Sequence, residues 1–299
     1  MSEAPSAFRF PDADGRSPHF LRAGVPEWPT ELDELGTQRP VGLWTLGSLS
    51  SFGPTPLVAI VGTRRATAYG LRVAKALATA FVRAGATVVS GLAAGIDAAA
   101  HRGALEAEGV TIAVLGTGLH HAFPRGHAEL QRTIARRGLL LTELEHEEHG
   151  MPFTFLVRNR IIAAISRLTI VVEAPARSGA LNTAEHAREL DRTVAAVPGP
   201  IDQPQSEGTN LLIRDGAGII TSVEDALALA NLTPTLRVPR GDPQGNEGRI
   251  WAALADGGLD IEALCQRSGL PAAACLAAVS TLELAGSIEC ALTGEIRRR

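Results

Sequence analysis

Apolar runs alternate with amphipathic segments through the middle of this chain. The run Leu57–Val61 is followed by residues 69–84, whose apolar side chains recur at three- and four-residue spacing, and then by a second apolar run at 87–89. Strand, helix and strand in this order form one βαβ unit, the building block of parallel sheets. Because both apolar runs are unbroken, we expect these strands to be covered on both faces.

The same alternation continues towards the C-terminus. Apolar runs predict further strands at 110–115, 139–142, 168–173 and 193–197, with helical segments between them, and a short edge strand at 218–220. Repeated alternation of this kind indicates an α/β fold: an extended Rossmann-like, doubly wound parallel sheet.

The two ends of the chain differ from this middle part. Residues 1–56 are rich in proline and predict an irregular N-terminal arm, whereas 57–230 form the Rossmann-like domain. Residues 231–245 predict a linker, and 246–299 predict three short helices and a hairpin, the pattern of a winged-helix-like domain. Its third helix, 271–284, contains no arginine or lysine, so we expect this domain to pack against protein more than against duplex DNA.

Composition narrows the function classes. The net charge of −4 over 299 residues does not indicate wholesale binding of polyanions, so the position of each charge matters more than the sum. The GxxxxGK[ST] motif of P-loop ATPases is absent from the sequence. No apolar run is long enough to span a membrane, and Met1–Arg16 is too polar for a signal peptide, so we expect a cytoplasmic protein.

Glycines, hydroxyl residues and arginines follow several predicted strands at their carboxyl ends, where ligands of open parallel sheets bind. Arginine side chains and closely approached backbone amides are typical of phosphate sites. The candidate phosphate-binding residues are Gly62, Thr63, Arg64, Arg65, Ser90, Gly91, Gly95, Arg158, Asn159, Arg160, Arg177, Ser178 and Gly179. The alternative is that the glycines only form turns and the arginines only solvate the edge of the sheet.

Other site types are less well supported. The first strand is followed by GTRRATAYG, which lacks the GxGxxG spacing of a dinucleotide site. Asp97, after the second strand, is either an acid or base or a carboxylate that binds backbone amides at a helix start, and the second reading is favoured. Phe153 and Phe155 lie close to Arg158 in sequence and are candidates either for stacking on bases or for the core.

Several ordered motifs resemble the DNA-processing protein A family (DprA, also called Smf). The motifs are V-G-T-R-R-A-T-x-Y-G (61–70), S-G-L-A-x-G-I-D-x-x-A-H (90–101), A-V-L-G-T-G (113–118), R-N-R-I-I-A-x-I-S (158–166), V-V-E-A (171–174), R-S-G-A-L-N-T-A (177–184), V-P-G-P (197–200) and G-T-N-x-L-I (208–213). They cover most of the α/β domain, so the resemblance is specific.

The resemblance implies a homodimer that binds single-stranded DNA, protects it and hands it to the recombinase RecA during natural transformation. It implies no catalytic residue, cofactor or metal. Arg64 and Arg177 match the family's phosphate-binding basic positions, and Arg158 and Arg160 match its R-N-R element. Val157 departs from the family, in which a basic residue is common at that position.

Two rival functions remain open on the sequence. Related Rossmann folds cleave nucleoside monophosphates at the same crevice and use a nearby glutamate, a role for which Glu173 is available. A protein scaffold without nucleic-acid binding is the other rival, and it predicts that Arg64 and Arg177 are dispensable.

Overall fold

The computed structural model describes residues 17–233, 245–255, 257–284, 288–290 and 294–298. The chain divides into two compact units, Met1–Pro234 and Thr235–Arg299. Each unit has a hydrophobic core of its own. None of the helices in the described ranges combines the length and apolar character that a membrane crossing requires.

The first unit contains strands that join one sheet and helices that cover it. The strands are β1 (His19–Arg22), β2 (Gly42–Gly47), β3 (Leu57–Val61), β4 (Thr87–Ser90), β5 (Thr111–Val114), β6 (Leu139–Thr142), β7 (Leu168–Val171), β8 (Thr193–Ala196) and β9 (Gly218–Ile219). The helices are α1 (Ala68–Arg83), α2 (Ile96–Glu106), α3 (Ala128–Arg137), α4 (Pro152–Ile165), α5 (Gly179–Glu189), α6 (Pro204–Arg214) and α7 (Val223–Leu229). Short 3₁₀ helices lie at Thr30–Gln38, Leu49–Phe52 and Arg125–His127.

The sheet has nine strands in the order β1-β2-β6-β5-β4-β3-β7-β8-β9. All pairs from β6 to β9 in this order are parallel, and the pairs β1–β2 and β2–β6 are antiparallel. Helices cover both faces, so the prediction of a doubly wound, mostly parallel α/β sheet is confirmed.

Alternate residues of the central strand enter different cores. Val58 and Ile60 of β3 pack in the core that contains buried residues of α1, α2 and α7. Ala59 and Val61 pack in the core that contains buried residues of α4, α5 and α6. The period of two along a strand places neighbouring side chains on opposite faces. This is why the strand is apolar throughout.

The N-terminal region differs from the predicted irregular arm. Residues 1–16 lie outside the described residues, but β1 and β2 extend the sheet beyond β6, with Phe20 opposite Trp44 and Leu46 opposite Leu140. The predicted boundary at residue 56 therefore does not separate an arm from the sheet. The prolines that suggested irregular structure, such as Pro18 and Pro40, precede these strands, and the backbone of β6 supplies the pairing that the local sequence does not reveal.

The described residues of the second unit form three helices followed by two antiparallel strands. The helices are α8 (Gly245–Ala253), α9 (Ile261–Ser268) and α10 (Ala272–Leu284), and β10 (Ile288–Cys290) pairs antiparallel with β11 (Ile296–Arg298). Ile250, Leu264, Leu282, Ile288 and Ile296 are buried in its core. This order of elements confirms the winged-helix-like domain. The predicted linker at 231–245 falls mainly on 234–244, outside the described residues.

Candidate nucleic-acid interface

The carboxyl ends of β3 and β7 border a crevice where the direction of strand addition reverses. From β3 the chain adds β4, β5 and β6 on one side, and it then returns to add β7 on the other side of β3. Ligands of open α/β sheets bind at such a switch point. The crevice has a volume of about 470 Å³, within the range of about 300–1,000 Å³ that is usual for ligand pockets.

Most of the predicted site residues line this crevice. They follow β3, belong to α4 or lie at the start of α5, and they are Gly62, Thr63, Arg64, Arg65, Arg158, Asn159, Arg177, Ser178 and Gly179. The remaining predicted residues, Ser90, Gly91, Gly95 and Arg160, do not belong to its lining.

Three arginines form what we call the rim: Arg64, Arg65 and Arg177. All three are exposed, and within the described part of the chain no ion pair engages them. The turn that carries Arg65 is held by Thr63 Oγ1, which accepts a hydrogen bond of 3.2 Å from the Arg65 backbone N–H. Ser178 Oγ accepts a backbone hydrogen bond at the start of α5, next to Arg177. The rim therefore places positive charge on both sides of the switch point.

Below the rim lies a buried layer that we call the floor: Asp97 and Arg158. The Arg158 guanidinium donates to the carbonyl oxygens of Gly91, at 2.8 Å, and of Val114. Asp97 accepts a hydrogen bond of 3.1 Å from the Gly91 backbone N–H. Burial raises the pKa of the Asp97 carboxyl despite the nearby positive charge of Arg158. Burial lowers the pKa of Arg158 to about 10, and the charge of Asp97 opposes that change.

The floor changes the role predicted for the glycine turn after β4. Because the Gly91 N–H is bonded to Asp97, it points into the protein and not towards a ligand. An added Cβ at Gly91 would overlap the Arg158 guanidinium, so the glycine is explained by close packing. Asp97 lies in the first turn of α2, but it is not the cap of this helix, and its carboxylate accepts from the Gly91 backbone N–H in the loop after β4. The favoured reading is therefore right that Asp97 binds a backbone amide and wrong that it binds the backbone of its own helix start. The Gly91 amide therefore supplies no donor to the crevice.

Ser90 and Gly95 are also structural in their contacts. Ser90 is fully buried and donates a hydrogen bond of 2.7 Å to the carbonyl oxygen of Ile60 in β3. Gly95 has a φ of 79°, and a Cβ at this position would overlap the Thr63 carbonyl oxygen. In place of the predicted phosphate contacts, Ser90 joins β4 to β3, and Gly95 lets the start of α2 pack against the turn after β3.

Arg160 is committed to partners within the protein, in contrast to the predicted phosphate contact. Its guanidinium donates to both carboxylate oxygens of Glu143, at 2.6 and 2.7 Å, and to the Gln38 carbonyl oxygen at 2.9 Å. The adjacent Asn159 donates to the Gly179 carbonyl oxygen at 3.0 Å. The R-N-R element therefore connects α4 to α5 and to the N-terminal region.

Two phenylalanines lie against Arg64. The ring centroids of Phe123 and Phe155 are 4.7 Å apart, and the Arg64 Cζ atom lies 5.7 Å from the first and 5.3 Å from the second. Phe155, predicted as either a stacking or a core residue, lines the crevice. Phe153 does not, and it is 62% exposed. Phe123 was missed by sequence reasoning because it lies in a loop without periodicity.

Glu173 occupies a different position from a catalytic glutamate of this crevice. Its carboxylate accepts hydrogen bonds from the backbone N–H of Thr67, at 2.9 Å, and from the Thr67 hydroxyl, at 2.5 Å. It is buried, packs against Gly70 and lines a neighbouring pocket instead of the crevice. These contacts give Glu173 the structural role of holding the start of α1.

The sequence profile of the DNA recombination-mediator protein A family matches residues 19–231, and the profile of the DprA winged helix domain matches 234–291. The chain belongs to the DNA recombination-mediator protein A family. The first match contains both sides of the crevice, so the rim lies within the part of the chain that defines the family. The resemblance seen in the sequence motifs is thereby confirmed.

Individual relatives agree with this assignment. The DprA protein of Mycobacterium tuberculosis is 41% identical over 268 residues, which cover 84% of this chain and 67% of that protein. The Smf protein of Synechocystis is 42% identical over 238 residues, 79% of this chain and 58% of its own length. The Smf protein of Escherichia coli is 35% identical over 294 residues, 94% of this chain and 78% of its own.

Two solved structures of the family resemble the fold. The DprA structure from Streptococcus pneumoniae aligns with a TM-score of 0.67 and 40% identity, covering 70% of this chain and 73% of that one. The DprA structure from Helicobacter pylori, described for its mode of binding single-stranded DNA, aligns with a TM-score of 0.65 and 29% identity. That alignment covers 72% of this chain and 97% of the other.

Proposed function

We propose that the chain binds single-stranded DNA by its phosphates in the switch-point crevice. The observation that carries the proposal is the rim, where Arg64 and Arg177 are exposed on opposite sides of the crevice and free of ion pairs within the described residues. A guanidinium group matches two phosphate oxygens with two parallel donors. An anionic backbone that crosses the switch point can therefore meet both arginines.

The same chemistry accounts for tolerance of sequence. Phosphate contacts position a strand and carry no direct information about the bases. The binding they supply weakens as salt rises, because the cations condensed on the nucleic acid are released on binding. We therefore expect affinity for strands of any sequence, with a steep dependence on salt.

We further propose that the protein acts in the cytoplasm as a recombination mediator that protects incoming single strands and loads RecA on them during natural transformation. Membership of the mediator family and the single-strand binding described for the Helicobacter pylori relative support this proposal. A homodimer would present two crevices to one strand and raise avidity through the effective concentration of the second site.

We propose binding without catalysis, so that no cofactor or metal is needed. The rival reading as a nucleoside monophosphate glycosidase requires a glutamate in the crevice, and Glu173 is instead engaged by Thr67. If the protein released free base from nucleoside monophosphates, the proposal of binding without catalysis would be wrong. The winged-helix-like domain is not expected to add duplex binding through α10, because the only charge on this helix is Glu283.

The first test measures fluorescence anisotropy of a labelled oligo(dT) across a salt series. Arg64→Ala/Arg177→Ala is expected to bind about tenfold or more weakly, since each change removes a charge-assisted contact. Loss of two phosphate contacts should reduce the log–log salt slope by about 1.4.

The matched control is Arg132→Ala/Arg136→Ala, which removes the same charge from α3, where both arginines pair with Glu129. This control should bind like the wild type. Equal losses in the two double variants would mean that only the overall charge matters, and the crevice would then not be the site.

Loading and assembly need separate measurements. With single strands coated by a single-strand-binding protein, the wild type should accelerate RecA filament formation, and the rim double variant should not. Sedimentation over a range of concentrations should show a dimer. A monomer at all concentrations would remove the avidity argument while leaving the phosphate site intact.

A further inference from the structure

The two aromatic rings beside the rim carry neither a charge nor a hydrogen-bond donor for a phosphate. Phe123 and Phe155 contact each other, and both rings lie within cation–π distance of Arg64. We call these two rings the shelf. Neither ring belongs to the hydrophobic cores of the first unit. The shelf therefore needs an explanation other than core packing.

Phe155, the inner ring of the shelf, packs closely against two glycines. Added Cβ atoms at Gly116 and Gly150 would approach the Phe155 ring to 2.6 and 2.8 Å, so both positions leave space for this ring. Gly116, which follows β5, therefore lies directly beneath the aromatic ring. Phe155 thus supports Phe123 from a fixed position on α4.

The outer ring is open to solvent. Phe123 is 44% exposed, although it lies in contact with Phe155 and Arg64 at the edge of the crevice. Isolated exposed apolar residues are common on protein surfaces. Here the exposed ring of Phe123, the half-buried ring of Phe155 and the cation of Arg64 lie together at the crevice. Single-strand binding surfaces combine aromatic rings and positive charge in this way.

We propose that Phe123 forms a nucleobase subsite: an unpaired base stacks on its exposed ring while a neighbouring phosphate contacts Arg64. This inference rests on the proposed function, and it adds the base to a site otherwise built for phosphates. Every base has a π-face, so the subsite accepts purines and pyrimidines. Arg64 contributes to both the base subsite and the phosphate site. Its guanidinium lies against the two rings and is also exposed at the crevice.

The subsite supplies the selectivity that the rim lacks. Duplex and single strands both carry phosphates, and three exposed arginines do not distinguish between them. In a duplex each base is already stacked and paired, and its face is not available to a side chain at the groove edge. Stacking on Phe123 therefore favours unpaired strands.

The test compares oligo(dT) with an abasic oligomer of the same length and charge, using the full chain at constant salt. Wild type should bind oligo(dT) more tightly than the abasic strand. Phe123→Ala should bind oligo(dT) about tenfold more weakly and leave abasic binding unchanged. Phe123→Trp, which keeps an aromatic face, should retain the affinity for oligo(dT). The matched control is Phe153→Ala, which removes an exposed phenylalanine outside the shelf and should change neither affinity.

The possible outcomes separate the two proposals. If Phe123→Ala weakens binding to both oligomers equally, the ring only positions Arg64 and the subsite is overturned. Equal wild-type affinity for the two oligomers would overturn it as well, while leaving the phosphate crevice standing. Absence of wild-type binding to either oligomer at low salt would remove the proposed function and the subsite together. A melting temperature for each variant shows whether a lost affinity reflects a lost fold.

Discussion

The rim and the floor place the same residue type at one edge of one sheet and use it in opposite ways. Arg64 and Arg177 of the rim are exposed and leave their donors to solvent. Arg158 of the floor is 5% exposed, and its guanidinium donates hydrogen bonds to backbone carbonyl oxygens. Arg160 nearby is equally committed, to Glu143 and Gln38. Arginine content at a strand end is therefore a poor measure of its capacity to bind anions.

The difference follows from the cost of burying charge. A guanidinium group removed from water must recover its hydration through hydrogen bonds and an opposite charge. Arg158 does so with the two carbonyl oxygens and Asp97, and the result ties the ends of β4 and β5 to α4 and α2. The floor thus fixes the loops on which the rim stands. The rim arginines have no ion pair among the described residues, and their charge stays exposed to solvent.

The largest effect on stability should come from removing the Arg158 side chain from the floor. Arg158→Ala would leave the Gly91 and Val114 carbonyl oxygens and the Asp97 carboxylate buried without their partner. Breaking a buried charged contact of this kind is expected to lower the free energy of unfolding by about 3–5 kcal/mol. Urea unfolding followed by circular dichroism measures the change. A loss below about 1 kcal/mol would mean that water replaces the guanidinium and that the floor is not structural.

A second effect concerns His101, a buried residue outside the floor on the same helix as Asp97, and it is tested through pH. His101 on α2 is fully buried, its Nδ1 lies 2.7 Å from Thr111 Oγ1, and its Nε2 is buried with no hydrogen-bond partner among the described residues. Burial, with a smaller contribution from Arg158, lowers the pKa of His101 to about 3. The unfolded chain takes up this proton near pH 6.5, whereas the folded chain does not. Stability is therefore lost as pH falls, by about 2 kcal/mol between pH 7 and pH 5.

Comparison with His101→Gln isolates this contribution. Because burial raises the pKa of Asp97, that carboxyl changes stability in the opposite sense as pH falls. The unfolding free energy of the wild type alone would report the sum of the His101 and Asp97 contributions. The free energy of unfolding of His101→Gln, measured at pH 7, 6 and 5, should fall less steeply than that of the wild type. Parallel curves would show that His101 is protonated in the folded state.

Sequence reasoning located the crevice but not the roles of its residues. Apolar runs such as Leu57–Val61 predict the parallel strands, and the carboxyl ends of such strands are where ligands of open α/β sheets bind. Burial and long-range partners decide what each arginine does. Arg160 meets the Gln38 carbonyl oxygen across 122 positions of sequence, a contact that no local pattern reveals. The strand-end pattern grouped Arg158 and Arg160 with Arg64 as candidate phosphate-binding residues, and the structure separates them.

Two other features could not be predicted from the sequence, also because they depend on long-range contacts. Strands β1 and β2 are short and follow prolines, and their pairing depends on the open edge of β6. Phe123 lies in a loop, where a lone aromatic residue has no periodic signal, and only its contact with Phe155 distinguishes it. Both cases depend on contacts between distant parts of the chain. The α/β fold, in contrast, can be predicted from the sequence, because apolar runs and amphipathic segments alternate repeatedly along the chain.

The smallest effect on stability, and the sharpest contrast with the floor, should come from the rim. In Arg64→Ala/Arg177→Ala the free energy of unfolding should change by no more than about 0.5 kcal/mol, because exposed side chains without buried partners contribute little to folding. Loss of the Arg64 contacts with Phe123 and Phe155 is included in this limit, since cation–π contacts at exposed sites are weak. Urea unfolding of the same preparation used for DNA binding measures it. A fall of 2 kcal/mol or more, on the scale of a buried charged contact, would mean that the rim also holds the fold together. The division of labour between rim and floor would then fail, and the reduced DNA affinity of this variant would have to be attributed to altered loop structure instead of lost phosphate contacts.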